Sequence, residues 1–251
     1  MADHNVLSED EVVGLIMANP MPVMFIDTCN FGNIFRDALE GRCDNAVQTL
    51  IWLNEAGAAN RYHLVQPIQV IDEYYRPGKF VEPEINGLRS SIEHWESMLK
   101  TYGKLNPNIT NTYIQYFNLC SAEKLYRYFF QLIGDTFDKA LIVESSLEAQ
   151  KWSRQRLHDC MRPAQRGKNS FGDCEICGTS LALMAQLRKA GFVDDAYFVS
   201  ANIHDYAQNQ CLHDDLKDEF QKVRMEYHCT IKSAYGQIWC RNEINYRGVR
   251  R

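Results

Sequence analysis

Apolar positions in this chain fall into short unbroken runs and longer periodic ones. Unbroken runs bounded by turn formers read as strands buried on both faces, and three occur: VMFI at 23–26, YHLVQ at 62–66 and DAYFVS at 195–200. Elsewhere apolar residues recur every three or four positions, the period of amphipathic helices. A helix over about 9–18 opens on Ser8 and Glu11 in capping-box spacing and stops before Pro20 and Pro22. Further helices are predicted over 44–59 with Asp44 as cap, over 67–76 with Pro67 in first position, and over 122–133, 146–157 and 173–191. A last one, DLKDEFQKVRMEYH, places Leu216, Phe220, Val223 and Tyr227 on one face. The middle of the chain carries the stripe Ile85, Leu88, Ile92, Trp95 and Leu99, followed by a turn-rich loop at 103–110.

Strands separated by helices imply right-handed crossovers and a mainly parallel sheet with helices on both sides, an α/β fold. The 251 residues, 45% hydrophobic and 24% charged, suit a globular protein, expected here as one domain. No apolar run reaches about 18 residues and the start, MADHNVLSEDEVV, is acidic and polar. No membrane partner is therefore expected, and a cytoplasmic location is. The nine cysteines are odd in number and scattered, as in a protein with reduced thiols.

Ligands in parallel sheets bind beyond the carboxyl ends of the strands. Asp27 and Asp205 follow predicted strands, Glu73 lies in the helix after another, and Asp173 starts a helix. Carboxylates gathered in one crevice repel one another and tend to protonate unless a cation neutralises them. An all-oxygen donor set suits Mg2+ or Mn2+ rather than zinc. Such ions in pairs promote phosphodiester hydrolysis. Formal net charge is −5, yet residues 151–168 hold six Lys or Arg against one acid and the last eleven residues hold four Arg against one acid. The first run leads into GKNSFGDCEI, so Arg162, Arg166, Lys168 and Asn169 are the expected contacts to a phosphate backbone. Thr28, Ser200 and Asn202 are expected to support the carboxylates or their waters.

FIDTCNF, PIQVIDEYY, GKNSFGDCEI and FVSANIHDY, in that order, resemble the PIN-domain nucleases, closest to a bacterial PIN-like branch with an inserted helical middle. The resemblance implies a three-layer α/β/α sandwich over about 22–225, a helical insertion over about 84–160 and a basic C-terminal tail. It further implies an endoribonuclease in which Asp27, Glu73, Asp173 and Asp205 bind Mg2+ or Mn2+ and catalyse, with Asp205 acting through water and with RNA as the phosphate backbone. Cys29 stands where the family's first motif often reads Asp-Thr-Asn. Relatives act as toxins or in phage defence, which implies restraint by an inhibitory partner, a homo-oligomer or controlled activation.

Other readings attach to particular residues. A non-catalytic RNA-binding protein would keep the fold and dispense with the acids. A haloacid-dehalogenase-type phosphatase requires a second acid two residues after Asp27, where Cys29 stands. Cys174 and Cys177, with Cys211 and His213, offer a zinc or thiol module, and His204 offers a general base. Glu175 is expected to point away from Asp173, two residues being about 200° of helix. YRYFF at 126–130 reads as core or partner contact.

Overall fold

The computed structural model describes residues 4–39, 43–58, 61–76, 119–208 and 211–248. The expected stripe at 85–99 and the loop at 103–110 lie outside the described residues, as do the side chains of the basic tail. The chain divides into two compact units, one of Met1–Glu73 with Asp135–Arg251, the other Tyr74–Gly134.

In order, the elements are β1 (Val6–Leu7), α1 (Glu9–Ala18), β2 (Val23–Ile26), α2 (Thr28–Leu39), α3 (Cys43–Ala58), β3 (His63–Pro67) and α4 (Ile68–Tyr75). After the undescribed stretch come α5 (Leu119–Phe137), β4 (Leu141–Val143), α6 (Leu147–Asp159), α7 (Phe171–Lys189), β5 (Ala196–Val199) and α8 (Ile203–Tyr206). The chain closes with β6 (Ala207–Gln208), β7 (Cys211–Leu212), α9 (Asp214–Lys222), β8 (Met225–His228) and α10 (Ile231–Gly248).

The first unit is built on a six-stranded, wholly parallel sheet in the order β1-β4-β3-β2-β5-β8. Central β2 and β5 are buried along their whole length, which is why both read as unbroken apolar runs. Helix α7 packs on β3 and gathers α1, α6 and α9, while α3 and α10 pack on β3, β5 and β8. Helices thus flank the sheet in an α/β arrangement compatible with a three-layer sandwich. Helix α1 has the expected capping box: the Ser8 backbone N–H donates to Glu11 Oε2 at 2.8 Å, and the Glu11 N–H donates to Ser8 Oγ. In the second unit the Tyr74 ring stacks on Phe130 at 4.7 Å and its hydroxyl donates to the Phe130 carbonyl. Within YRYFF, Phe129 is buried and Tyr128 is exposed.

Three sequence expectations change. The predicted helix over 215–228 stops at Lys222; Arg224 takes a positive φ of 49°, and Met225–His228 form edge strand β8 beside β5. Strand β4 lies within the stretch expected as helical insertion and pairs with β1 and β3. Helix α7 begins at Phe171, with Ser170 in the capping position, so Asp173 sits inside the first turn and is not consumed as a cap.

Candidate functional site

The sheet order places the site. From β2 the chain moves to β3 and β4 on one side, whereas β5 and β8 extend the other, so the connections diverge between β2 and β5. A crevice opens at the carboxyl ends of the strands at such a point. Hydrogen bonding continues just past the strand ends there: the Asp27 N–H donates to the Val199 carbonyl at 2.8 Å and the Ser200 N–H to the His228 carbonyl at 3.0 Å. Asp27 and Ser200 are thereby fixed side by side, and Ser200 Oγ donates to Asp27 Oδ2 at 2.6 Å.

Asp27 is buried, at 2% exposure, and burial pushes its carboxyl up, against the bonds from Ser200 and Cys29 and with the charge of Glu73. The Cys29 thiol donates to Asp27 Oδ2 at 3.1 Å. Burial, and then the charge of Asp27, hold that thiol far above its ordinary range, so it remains a protonated donor. Asn30 ties the loop after β5 to the start of α2: its Oδ1 accepts from the Ala201 N–H at 2.8 Å, and its amide donates to the Cys229 carbonyl. Thr28 Oγ1 is buried beside Asp27 with no hydrogen-bond partner among the described residues.

Asp173 reaches the same crevice from α7. Burial raises its carboxyl to about 7, the charges of Asp27, Asp205 and Glu73 push the same way, and Lys168 opposes them. Asn202 bridges two of the acids, donating from Nδ2 to Asp173 Oδ1 at 3.3 Å and to Asp205 Oδ2. Asp205, fully buried in α8, also accepts from Gln165 Nε2 and Lys168 Nζ. Glu73 lies against α7 because Gly172 has no side chain: a Cβ there would stand 2.0 Å from Glu73 Oε1. Gln69 Nε2 donates to the same oxygen at 3.1 Å.

The loop between α6 and α7 supplies the opposing charge. Its start is pinned by buried Arg156, which donates to the Arg162 and Asp215 carbonyls, pairs with Glu219, and lies over the Trp152 ring at 4.8 Å. The Arg162 N–H adds a bond to Asp215 Oδ2 at 2.8 Å, and its guanidinium donates to the His204 carbonyl at 2.7 Å. The basic run is therefore not one surface. Helical periodicity turns Arg156 inward and leaves Lys151 and Arg154 exposed, and Arg166 is exposed on the loop that follows. Asn169 Oδ1 accepts from the Phe171 N–H at the start of α7.

Glu175 turns toward Ser145 and Asp72, and burial raises its carboxyl. Cys174 and Cys177 face the interior, burial pushes the Cys174 thiol up to about 12, and Cys211 is exposed on β7. Gln165 and Gly172 had no signal in the sequence, since a neutral amide in a loop and a glycine in a first helical turn are common. Beyond Asn30 a cavity of about 580 Å³ opens between α2, α3 and the start of α10, with Arg36, Asp37, Trp52 and Lys232 in its lining.

Among the described residues, no three His, Cys, Asp or Glu side chains stand together as a ready set of ligands for one ion. The Lys168 ammonium lies between Asp205 and Asp173. No helix among the described residues is long and apolar enough to cross a membrane. No family model, curated protein or solved structure matches the chain.

Proposed function

We propose that this protein is a divalent-metal-dependent endoribonuclease of PIN-like type. The observation that carries the reading is Asp173, raised to about 7 first by burial and then by the charges of Asp27, Asp205 and Glu73, all within electrostatic reach where the strand order diverges. Carboxylates brought together at such electrostatic cost suit a site completed by a cation. The donor set is all oxygen, Thr28 Oγ1 is an unpartnered buried oxygen beside it, and the Gly172 cradle admits Glu73. These features fit Mg2+ or Mn2+, with Asp27, Asp173 and Glu73 as holding residues. Asp205, whose oxygens accept from Gln165, Lys168 and Asn202, fits a supporting place acting through water. When bound, such ions supply Lewis acidity for the attacking water and the leaving oxygen.

The chain's own residues do the rest. Ser200 and Cys29 orient the Asp27 carboxylate, and Asn202 sets the spacing of Asp173 and Asp205. Arg162, Arg166 and Lys168 offer positive charge for a phosphate backbone, and the cavity beside Trp52, Arg36 and Lys232 offers room for a neighbouring nucleotide. RNA as the preferred substrate rests on the family resemblance together with this local charge. A role in translation arrest or defence, in the cytoplasm and under an inhibitory partner or self-association, follows from the same resemblance.

Labelled RNA and DNA incubated with the purified protein and Mg2+ or Mn2+, beside Asp27→Asn, Asp173→Asn and an EDTA control, test the reading. RNA cleavage lost in both variants and in EDTA is expected. Cleavage that survives chelation or both substitutions overturns it.

A further inference from the structure

We propose that Lys168 is an internal cation that closes the carboxylate site in the free protein, and that divalent metal must displace it, releasing its ammonium toward the nucleic-acid backbone. The inference rests on the metal-dependent reading above and adds a coupling between metal loading and substrate binding.

Lys168 Nζ donates to Asp205 Oδ2 and lies 3.9 Å from Asp173 Oδ2, so one ammonium spans carboxylates from α8 and α7. The other donors to Asp205, Gln165 and Asn202, are neutral amides. Arg162 approaches Asp205 only to 3.9 Å and is committed to the His204 carbonyl. Lys168 is therefore the cation that bonds directly to the site's acids among the described contacts. A dication held by Asp173 would share its surroundings with that ammonium, and like-charge repulsion makes the two occupants alternatives.

The placement of Lys168 allows exchange. Its side chain is 45% exposed, whereas that of Asp205 is fully buried, so the ammonium covers the site from its mouth. Gly167, at a φ of 80°, turns the chain immediately before it, and the Lys168 N–H donates to the Gln165 carbonyl. The side-chain bonds described for Lys168 go to the acids alone, so the long stem can swing out without breaking the backbone anchors at Arg162. Once released, the ammonium joins exposed Arg166 on the same loop, where a phosphate of bound RNA would meet it. Linkage makes the effect reciprocal: metal strengthens RNA binding, and RNA strengthens metal binding.

Calorimetric titration of MnCl2 into the metal-stripped full chain tests this directly, using wild type, Lys168→Met, Lys168→Gln and Asp173→Asn. Lys168→Gln keeps an amide able to donate to Asp205, so it guards against a folding failure in the methionine variant. Both Lys168 variants are expected to bind Mn2+ at least about tenfold more tightly than wild type, and Asp173→Asn to bind poorly. Anisotropy with a non-cleavable 2′-O-methyl RNA should show Mn2+ strengthening binding to wild type, with a smaller gain in both Lys168 variants. If Lys168 variants bind Mn2+ no more tightly while Asp173→Asn loses binding, the metal site stands and closure by Lys168 is wrong. If Mn2+ binding is undiminished in Asp173→Asn, the reading of the site itself fails.

Discussion

Asp173 must hold a carboxylate among Asp27, Asp205 and Glu73 with little of its side chain in water, and the single lysine at its edge does not fully offset them. Its pKa of about 7 makes this a statement about stability. The unfolded chain releases the Asp173 proton near the ordinary carboxylate value, whereas the folded chain keeps it until about pH 7. Between those points the native state binds more protons, so stability falls as pH rises through the window. Asp27, also raised by burial, contributes with the same sign. Asp173→Asn removes the charge and keeps an oxygen for Asn202. In EDTA it should flatten the decline from about pH 4 to 7 and stabilise the protein at pH 8, by a few kcal/mol at most. Urea unfolding at pH 5 and pH 8 measures this. An Asn variant that is less stable than wild type at pH 8 would show that the ionised Asp173 is a structural partner instead of a strained one.

At the scale of elements, α7, which carries Asp173, approaches α6 closely. A Cβ on Gly178 would stand 2.8 Å from Ser153 Oγ, 2.9 Å from Trp152 Cε3 and 3.0 Å from the Ala149 carbonyl, and the last belongs to helix backbone that cannot rotate away. Gly178→Ala should therefore cost about 1–3 kcal/mol despite alanine's higher helix propensity. Gly14→Ala in α1, where nothing lies within 4 Å, should gain up to about 1 kcal/mol. Urea midpoints of the two variants should move in opposite directions; a shared direction would mean that propensity, not helix approach, governs position 178. The same elements show what the sequence could reveal. Strands β2 and β5 were legible as unbroken apolar runs, and Asp27 and Asp205 followed by the rule for strand ends. Strand β8 was hidden because Leu216, Phe220, Val223 and Tyr227 keep helical spacing through a break that only the Arg224 backbone makes. Strand β4 is three residues long, too short to show a period, and α2 begins directly on Thr28 with no capping residue ahead of it beyond Asp27 itself. Cys29 looked like a flaw in a motif, whereas its thiol is a donor that only burial next to Asp27 discloses.

For the whole molecule, a net charge of −5 opposes the approach of a polyanion, so RNA binding must draw on local charge. Arg162, Arg166 and Lys168 are the cations of the site loop, but they are not equivalent. Arg162 is held by the His204 carbonyl and by Asp215, so its loss disturbs the loop that also carries Gln165 and Lys168. Arg166 is exposed and carries none of those anchoring bonds. Three phosphate contacts on a single strand correspond to a slope of about −2 in log affinity against log salt concentration. Arg166→Ala should reduce the size of that slope by about 0.7 and leave thermal stability unchanged. Arg162→Ala should reduce the slope similarly and also lower stability, because the His204 carbonyl loses its guanidinium donor, whereas the backbone N–H bond to Asp215 is kept. Fluorescence anisotropy with a 2′-O-methyl RNA over a series of KCl concentrations, beside a thermal melt of each variant, separates the two effects. A slope that Arg166→Ala leaves intact would remove the 162–168 loop from the RNA path. Lys232, in the lining of the cavity with Arg36 and Asp37, would then be the next cation to test, and Lys232→Ala the variant whose slope should fall.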